Sequence, residues 1–443
     1  MKSRKAKVLH SAGGQTLVEH VVDAALSHAA PEQVVVVTGH QAGTVEDLLR
    51  PRGVRFARQT EQKGTGHAVA MARPELGARP GFVVVLYGDC PLLSAATIAQ
   101  LLEQHRAGTA AATVITTLLE DPTGYGRMVT NVAGEVEAIV EQKAATPEQL
   151  AIREINSGIY CFDAARLWRH LDEIGTNNPA GEYYLTDMVE ILRRHGHCIA
   201  TLRLADPNEI LGINTRVELA LVDRLFRERK ARELMLEGVT IEKPETVTID
   251  LGVRIGMEST VEAFAQIRGR SVIGENCRIG AGSILVDVEI GEGVEIHPYT
   301  LITNCRVEAG AHIGPFARLR MSAHVEAGAH IGNFVELKKT RLGAGSKSMH
   351  LAYLGDSTIG EGVNIGAGTI TCNYDGQKKH PTTIGEGAFV GSNSTLVAPV
   401  EVAAHAYVAA GSVITERVPE ESLGLGRARQ VNKEGWARKR KKS

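Results

Sequence analysis

The sequence is poor in aromatic residues and in net charge. Phe, Trp and Tyr make up 4% of its 443 residues, and the formal net charge at pH 7 is −2. Few aromatics suit a core built from Ile, Val, Leu and Ala. The weak overall charge argues against a nucleic-acid-binding protein, although the extreme C-terminus is basic and the alternative to a solubilising tail is a nucleic-acid contact. With 43% hydrophobic and 23% charged residues, the chain is globular and long enough for two or three domains.

The sequence also lacks paired cysteines and long apolar runs. Its six cysteines are scattered without a CxxC pair, which argues for free thiols in a reducing compartment and against a zinc ribbon or a disulfide framework. The first thirty residues contain no apolar run of signal-peptide type, and no stretch approaches eighteen apolar residues. We therefore expect a cytoplasmic protein without a membrane partner.

A six-residue repeat dominates the second half of the chain, from about residue 255 to 414. Neither a helical period of 3.6 nor a strand period of 2 explains it. A short strand and a tight turn in every hexapeptide do, with Gly and Asn supplying the positive φ angles of the turns. The repeat predicts a parallel β-helix. The alternative is a Gly-rich β-sandwich, whose alternation would not hold phase over thirty residues. The longest run comprises Ile384, Val390, Leu396, Val402, Val408 and Ile414.

Two interruptions of this repeat are candidate binding segments, because departures from a repeat often carry function. The first lies between Ile313 and Leu342 and contains Arg320 and Lys338. The second, at 371–380, follows an irregular spacing and is predicted to leave the wall as a loop.

The first 213 residues alternate strand and helix patterns, which is typical of a doubly wound, Rossmann-like α/β domain. The apolar runs at 33–38 and 82–87 are typical of strands buried on both faces of a parallel sheet. No strand precedes Lys7, so we expect the fold to lack its first strand. The predicted domains are an N-terminally incomplete α/β domain at 1–214, a linker helix at 215–238, and a β-helix with a basic tail at 239–443.

Two stretches of the first domain carry side chains or loops suited to nucleotide chemistry. Asp89 follows the strand at 82–87, where ligands of open α/β sheets bind, and a carboxylate there suits Mg²⁺. The alternative is an ordinary turn. The Gly-rich loop at 62–67 opens a helix and could hold a base or a phosphate, although such loops also occur without a ligand.

In the second domain, His350 is a candidate general base. A histidine accepts a proton near neutral pH, and three cations close in sequence could bind a phosphorylated substrate. The alternative is a histidine with a structural role. The three cations are Arg320, Lys338 and Lys347.

Three long motifs now place the chain beside a known family: DPTGYGR at 121–127, GEYY at 181–184 and NIGAGTITCNYDG at 364–376. With these motifs the chain resembles the bacterial bifunctional N-acetylglucosamine-1-phosphate uridylyltransferase and glucosamine-1-phosphate N-acetyltransferase. The likeness extends from Lys7 to the KEGW segment at 433–436.

The resemblance implies two sequential reactions on small molecules. A left-handed β-helix, trimeric in the family, transfers acetyl from acetyl-CoA to glucosamine 1-phosphate. The N-terminal domain then couples the product to UTP with the help of Mg²⁺, giving UDP-N-acetylglucosamine and pyrophosphate. The expected partners are these substrates and two further copies of the chain, with no nucleic acid and no membrane.

By motif match, His350 is the base that takes the proton of the attacking amine. The sugar phosphate is assigned to Arg320, Lys338, Tyr353 and Asn364. The acetyl-CoA side is assigned to Ala367, Asn373, Tyr374, Ser392, Ala410 and Arg427.

The resemblance also implies a binding site for UDP-N-acetylglucosamine in the first domain, with Asp89 and Asn214 holding Mg²⁺. The residues of that site are Lys7, Gln59, Gly64, Thr65, Tyr87, Gly88, Asp89, Gly126, Glu141, Asn156 and Asn214.

One departure from the family pattern bears on the uridylyl transfer. The family opens with a strand and a loop of the form LAAGxGTRM, and this chain begins at a position that aligns with the end of that loop. We therefore expect pyrophosphate release to be lost or nearly so while acetyl transfer persists. The alternatives to a bifunctional enzyme are an acetyltransferase alone and a non-enzymatic hexapeptide scaffold.

Overall fold

The computed structural model describes residues 1–77 and 80–440. The chain divides into two compact units, Met1–Arg224 and Leu225–Ser443. The boundaries predicted at 214 and 238 stay a prediction.

In the described part of the first unit, the strands form two short sheets and one large one. The large sheet has the order β10-β6-β9-β7-β8, with β5 also paired to β9, and β3 pairs with β4 in a sheet of two strands. The strands are β1 Ser11–Ala12, β2 Gln15–Thr16, β3 Val35–Thr38, β4 Arg55–Arg58, β5 Phe82–Val85, β6 Ala112–Leu118, β7 Arg127–Thr130, β8 Val136–Val140, β9 Glu154–Asp163 and β10 Ile199–Arg203.

Strand direction in the large sheet differs from the all-parallel expectation. β10 runs parallel to β6, but the ten-residue β9 runs antiparallel to both β6 and β5. β5 and β3 are half-buried rather than enclosed on both faces. The prediction of strands buried on both faces of a parallel sheet at 33–38 and 82–87 is therefore wrong in part. β3 does run parallel to β4, but this pair forms a separate two-stranded sheet, and β5 pairs with the antiparallel β9.

Several helices of the first unit begin at polar side-chain caps. Thr16 accepts a hydrogen bond from the Glu19 amide while the Glu19 carboxylate accepts from the Thr16 amide at 2.8 Å, so α1 starts with a capping box. Ser94 caps α4 through the Thr97 amide at 3.1 Å. The helices of the described chain are α1 Leu17–Leu26, α2 Ala42–Leu49, α3 Thr65–Leu76, α4 Ala95–Ala107, α5 Pro147–Leu150, α6 Ala164–His170, α7 Asp187–Arg194, α8 Arg216–Leu236 and α9 Trp436–Arg440.

The second unit is a three-sided parallel β-helix, in which each full coil adds one strand to each of three faces. Face one consists of β11 Thr240–Ile241, β14 Thr260–Val261, β17 Arg278–Ile279, β20 Glu295–Ile296, β23 His312–Ile313, β26 His330–Asn333, β29 Lys347–His350, β32 Asn364–Ile365, β35 Phe389–Val390, β38 Tyr407–Val408 and β40 Leu423–Gly424. Face two consists of β12 Thr248–Ile249, β15 Gln266–Arg268, β18 Ile284–Val286, β21 Leu301–Thr303, β24 Arg318–Arg320, β27 Glu336–Lys338, β30 Tyr353–Gly355, β33 Ile370–Cys372, β36 Thr395–Val397 and β39 Val413–Ile414. Face three consists of β13 Arg254–Ile255, β16 Val272–Ile273, β19 Glu289–Ile290, β22 Arg306–Val307, β25 His324–Val325, β28 Arg341–Leu342, β31 Ser357–Ile359, β34 Thr382–Ile384 and β37 Val400–Val402.

The core of the β-helix is a set of aliphatic ladders along its axis. Ile279, Ile296, Ile313 and Ile331 are successive partners on face one, and each is at most 1% exposed. Because identical branched side chains stack from coil to coil, the register is fixed by burial. Each coil adds a strand to all three faces, and these three strands per coil are the structural origin of the six-residue repeat.

One predicted interruption is real and the other is not. The loop after β33 leaves the wall as predicted, since the next coil pairs Ile359 with Ile384 across 25 positions, whereas the previous one pairs Leu342 with Ile359. The interruption expected between Ile313 and Leu342 is wrong. Leu319 is among the buried residues that continue the six-residue spacing there. Only the last spacing, which ends at Leu342, is one residue shorter than six.

Candidate active sites

In the first unit, Lys7 lies between two oxygen-bearing side chains from distant parts of the chain. Its Nζ donates to Asp89 Oδ2, and the distance from Nζ to Asn214 Oδ1 is 3.0 Å. The Ile213 amide donates to the Asp89 carbonyl at 3.1 Å, which ties the two segments together. Three predicted site residues therefore meet at one point. Because a carboxylate and an amide oxygen already converge on one cation there, the pair fits the oxygen donors that Mg²⁺ prefers.

A second part of this site is built by close backbone contacts. Gly64 has φ +106°, and a Cβ at this position would lie 2.5 Å from the Tyr183 carbonyl oxygen, so the turn requires glycine. Gln59 Nε2 donates to the Gly64 carbonyl at 3.0 Å, and the Leu185 amide donates to Thr65 Oγ1 at 3.0 Å. The loop predicted at 62–67 is thereby held against the segment 183–185, which contains part of the GEYY motif.

Tyr87 connects the strand end to this loop. Its ring lies against Gly158, where a Cβ would be 2.7 Å from the ring, and a side-chain hydrogen bond links it to Thr65. Burial raises the pKa of Tyr87 to about 12, so the phenol stays protonated and able to donate. Gly88 lies beside it, with Val8 within van der Waals distance of the place its Cβ would take.

Three further predicted residues cluster on the β7–β9 side of the large sheet. The Asn156 amide donates to the Gly126 carbonyl at 2.9 Å, and Asn156 Nδ2 donates to the Tyr160 hydroxyl at 2.8 Å. A Cβ on Gly126 would lie 3.4 Å from Glu141 Oε1. Burial, with a smaller contribution from the charge of Asp187, raises the pKa of Glu141. One glycine and two polar side chains thus form one wall.

In the second unit, predicted residues stack along one corner of the prism. The corner where the coils pass from face one to face two is called the catalytic edge. Successive backbone hydrogen bonds join its coils: Gly368 N to His350 O at 3.3 Å, Asn393 N to Ala367 O at 2.7 Å and Gly411 N to Ser392 O at 2.8 Å. Coils of a parallel sheet are about 4.8 Å apart, so the three steps between these four coils span about 14 Å. The catalytic edge consists of Asn333, His350, Ala367, Ser392 and Ala410.

His350 is oriented by its neighbour one coil earlier. Its Nδ1 lies 3.0 Å from Asn333 Oδ1. An amide oxygen only accepts hydrogen bonds, so this contact favours the neutral tautomer with the proton on Nδ1 and the lone pair on Nε2. His350 is exposed, and its backbone pairs with Asn333 in the ladder of face one. The arrangement presents a proton acceptor at the surface.

Tyr353 leads from this edge across face two to a buried ion pair. A Cβ on Gly355 would lie 2.5 Å from the Tyr353 hydroxyl, and that hydroxyl is 3.4 Å from Asn373 Nδ2. Asn373 Nδ2 also donates to Asp356 Oδ2 at 2.5 Å, and Lys338 Nζ donates to the same oxygen at 2.9 Å. The side chains of Lys338 and Asp356 are 5% and 11% exposed. Burial raises the pKa of Asp356, but hydrogen bonds from Lys338 and Asn373 outweigh it and leave the pKa below its usual range.

Cations gather around this pair at the corner between faces two and three. Arg320 pairs with Lys338 in the strand ladder and donates from Nε to Glu336 Oε1 at 2.6 Å. Lys379, from the loop after β33, approaches Lys338, whose hydrogen bond and charge lower the pKa of Lys379. Two lysines and an arginine in one place suit a phosphate dianion.

Sequence analysis missed four residues of this site: Asn333, Glu336, Asp356 and Lys379. Asn333 stands 17 positions before His350, one coil of the helix, and that spacing is the signal that could have found it. Three predicted residues stay apart from these clusters. Asn364 lies on face one beside Lys347, Tyr374 donates to the Gly376 carbonyl within the loop at 2.7 Å, and Arg427 is exposed beyond β40.

These features define a class of protein: an α/β nucleotide-binding unit joined to a hexapeptide-repeat transferase unit. Residues 1–154 match the MobA-like NTP transferase domain, and residues 252–286 and 381–416 match the bacterial transferase hexapeptide (six repeats). The fold class predicted from sequence, including the left-handed β-helix, is confirmed.

Full-length relatives identify the family. The chain is 59% identical to bifunctional protein GlmU of Solibacter usitatus, over 100% of this chain and 95% of that protein. It is 51% identical to bifunctional protein GlmU of Anaeromyxobacter sp., over 100% and 90% of the two chains. It is 47% identical to that of Koribacter versatilis, over 100% and 94%. The chain belongs to the family of bifunctional GlmU proteins.

Membership confirms the predicted function. The protein is a bifunctional enzyme, a glucosamine-1-phosphate N-acetyltransferase and a uridylyltransferase in the synthesis of UDP-N-acetylglucosamine. The alternative of a single activity, and with it the expected loss of pyrophosphate release, is not favoured, and neither is the non-enzymatic scaffold. The family and the NTP transferase domain are consistent with small-molecule substrates and a divalent metal. Over the described residues, no helix combines the length and the apolar character that spanning a membrane requires.

Proposed function

We propose that each unit carries one of the two reactions, on the residues that the sequence analysis assigned. Acetyl transfer takes place at the catalytic edge of the β-helix, and uridylyl transfer takes place around Asp89 in the first unit. We keep the predicted division at 214 and 238 as the boundary between the two functions. A cytoplasmic location follows from this proposal, because both UTP and acetyl-CoA are substrates made inside the cell.

The observation that carries the acetyl-transfer proposal is the shared edge of His350, Ala367, Ser392 and Ala410. An extended thioester lying along this edge brings its carbonyl carbon next to His350. The amine of glucosamine 1-phosphate attacks that carbon, a C–N bond forms, and the C–S bond breaks to release coenzyme A. His350 Nε2 takes the amine proton. Asn373, Tyr374 and Arg427 complete the coenzyme side.

The sugar phosphate is held by the cations on the next corner. Arg320 and Lys338 neutralise its charge, and Tyr353 bridges from that corner toward His350. Asp356 and Glu336 keep the two cations in place, because each accepts a hydrogen bond from one of them. Asn364 contributes from face one.

In the first unit, the phosphate oxygen of N-acetylglucosamine 1-phosphate attacks the α-phosphorus of UTP and pyrophosphate leaves. Asp89 and Asn214 hold Mg²⁺, which supplies neutralising charge to the phosphates when bound. Lys7 binds phosphate once it is released from Asp89. The loop around Gln59, Gly64 and Thr65 binds the nucleotide, as do Tyr87 and Gly88. The wall of Gly126, Glu141 and Asn156 binds the sugar.

A homotrimer is proposed from an exposed apolar stripe on the catalytic edge. Tyr299, Phe316 and Phe334 stack with ring centroids 5.5 and 5.3 Å apart and are 62%, 49% and 55% exposed, and Leu351 continues the stripe at 63%. All four have positive φ, a conformation that is strained outside glycine. A contiguous exposed apolar patch marks an interface. Light scattering should give three times the chain mass of 47.5 kDa, and a monomer mass would refute the trimer.

Two assays on one preparation test the assignment of the activities. We expect coenzyme A release with glucosamine 1-phosphate, and pyrophosphate release from UTP with N-acetylglucosamine 1-phosphate that depends on Mg²⁺. Asp89→Asn should remove the second activity and leave the first. Loss of both activities, or of neither, would contradict the assignment.

A further inference from the structure

Two histidines and a glutamate that belong to neither active site converge on the surface of the first unit. His170 ends α6, Glu173 lies one short turn later, and His195 caps the end of α7. His170 Nδ1 is 2.6 Å from Glu173 Oε1, and His195 Nε2 is 3.0 and 3.1 Å from the two carboxylate oxygens. One donor atom from each side chain lies within 4.8 Å of the other two.

The cluster has the geometry of ligands around one metal ion. Donor separations of 2.6–3.1 Å resemble those between neighbouring ligands whose bonds to the metal are about 2.0–2.2 Å long. The His170 side chain is buried at 8% exposure, so packing fixes its direction, and its ring centroid is 4.1 Å from that of His195. The C-terminal end of α7 adds partial negative charge that favours a cation.

One positive group competes for the carboxylate. Arg194 Nη2 lies 3.1 Å from Glu173 Oε2, on the outer side of the cluster. The Arg194 side chain is 60% exposed, so it can turn into water when a stronger cation binds. A carboxylate also has lone pairs for more than one partner. Arg194 therefore weakens a metal ion's hold without blocking it.

We propose that His170, Glu173 and His195 bind one divalent transition-metal ion of the zinc, nickel or cobalt class, with water at the remaining positions. Two imidazoles and one carboxylate favour these ions over Mg²⁺ and Ca²⁺, which prefer all-oxygen sites. The ion joins the end of α7 to the turn after α6. A ligand that binds only the folded state stabilises it, so the first unit should melt at a higher temperature with the ion.

The test is Ni²⁺ titration of the chelator-treated full chain by calorimetry, with Mg²⁺ in excess to fill oxygen sites. We expect one site, weakened by about tenfold or more in Glu173→Gln and in His195→Asn. His40→Asn is the matched control, because His40 is an exposed histidine of the same unit outside the cluster. Absence of binding in the native chain, or equal binding in all variants, would overturn the proposal.

Two rival sites are separated by further variants. Glu295, His297 and His312 form a second such group on face one of the β-helix. If His312→Asn removes the site and His195→Asn does not, the assignment fails. Cys198 is an exposed thiol three positions after His195. A thiolate charge-transfer band on Co²⁺ binding that disappears in Cys198→Ser would place the metal at Cys198 and would also overturn the proposal. Binding of Co²⁺ without such a band supports it.

Discussion

The two units of this enzyme bring their candidate catalytic side chains together in different ways. On the β-helix, Asn333, His350 and Ala367 are neighbours because each full coil returns the chain to the same corner. In the first unit, Lys7 and Asp89 meet only through the folding of distant segments. Position on the β-helix is set by a repeating register, and position in the α/β unit is set by individual close contacts. Substitutions should therefore have local effects in one unit and wider effects in the other.

The largest expected effect tests whether the two units act separately. His350→Ala should lower acetyl transfer by about 10²-fold or more, because the amine loses its proton acceptor. Pyrophosphate release should be unchanged, since His350 belongs to the other unit. The measurements are coenzyme A thiol release and pyrophosphate release on the same preparation. An unchanged acetyl-transfer rate would remove His350 from the mechanism.

The next largest expected effect is the loss of stability when Gly64 of the first unit is replaced. Gly64→Ala forces a side chain into positive φ against the Tyr183 carbonyl oxygen and should lower the free energy of unfolding of this unit by about 2 kcal/mol. Uridylyl transfer should fall with it while acetyl transfer persists. Urea unfolding and both activity assays measure this.

The matched control for Gly64 is Gly43 of α2. No atom lies within 4 Å of its missing Cβ, so Gly43→Ala should be neutral or stabilising by up to about 1 kcal/mol. Equal stabilities of the two variants would show that the close contact at Gly64 has no energetic weight.

The register of the β-helix explains how much of its site was predictable. The six-residue repeat fixes which side chains point inward, and the match to NIGAGTITCNYDG assigned Ala367 and Asn373. The excursion after β33 followed from the irregular spacing. Asn333 and Asp356 were missed because their roles arise from hydrogen bonds between coils, which no local motif records.

The first unit was less predictable for a physical reason. The apolar run at 82–87 indicates a strand, but apolar content does not determine strand direction, and β5 pairs antiparallel with β9. Tyr183 and Thr65 belong to separate motifs, and only the folded chain shows that the two segments hold each other.

A smaller expected effect, on kcat for acetyl transfer, tests the role of Asn333 at the catalytic edge. Asn333→Ala should lower kcat for acetyl transfer by about tenfold with little change in KM, because Nδ1 of His350 loses the acceptor that fixes its tautomer. Asn333→Asp keeps an acceptor for Nδ1 of His350 but adds a negative charge. It should therefore restore the rate of acetyl transfer that Asn333→Ala loses, with the acid limb of the pH–rate profile moved to higher pH. A fall in kcat without that movement would indicate a structural role alone.

The smallest expected effect concerns acid stability in the first unit. Hydrogen bonds from Arg58 lower the pKa of Glu46 to about 2. Burial opposes this shift, and a hydrogen bond from Thr38 adds to it. The carboxylate therefore stabilises the fold above its ordinary pKa, and this contribution is lost as pH falls toward 2. Glu46→Gln should be less stable by about 1 kcal/mol at pH 7 and equal to the native chain near pH 2.

Asp47 supplies the control for Glu46. It pairs with Arg50 in an exposed setting, with both side chains 69% exposed, so Asp47→Asn should have a smaller effect at pH 7. Denaturant unfolding at several pH values measures both variants. A constant difference between Glu46→Gln and the native chain across this range would refute the assignment of the charge effect.

The central claim is that one chain carries two working sites, and the complete two-step conversion tests it most directly. Given glucosamine 1-phosphate, acetyl-CoA, UTP and Mg²⁺, the chain should form UDP-N-acetylglucosamine after a lag in which N-acetylglucosamine 1-phosphate accumulates. His350→Ala should form the nucleotide sugar only when N-acetylglucosamine 1-phosphate is supplied. If the native chain stops at N-acetylglucosamine 1-phosphate, the site around Asp89 is not competent and the claim is contradicted.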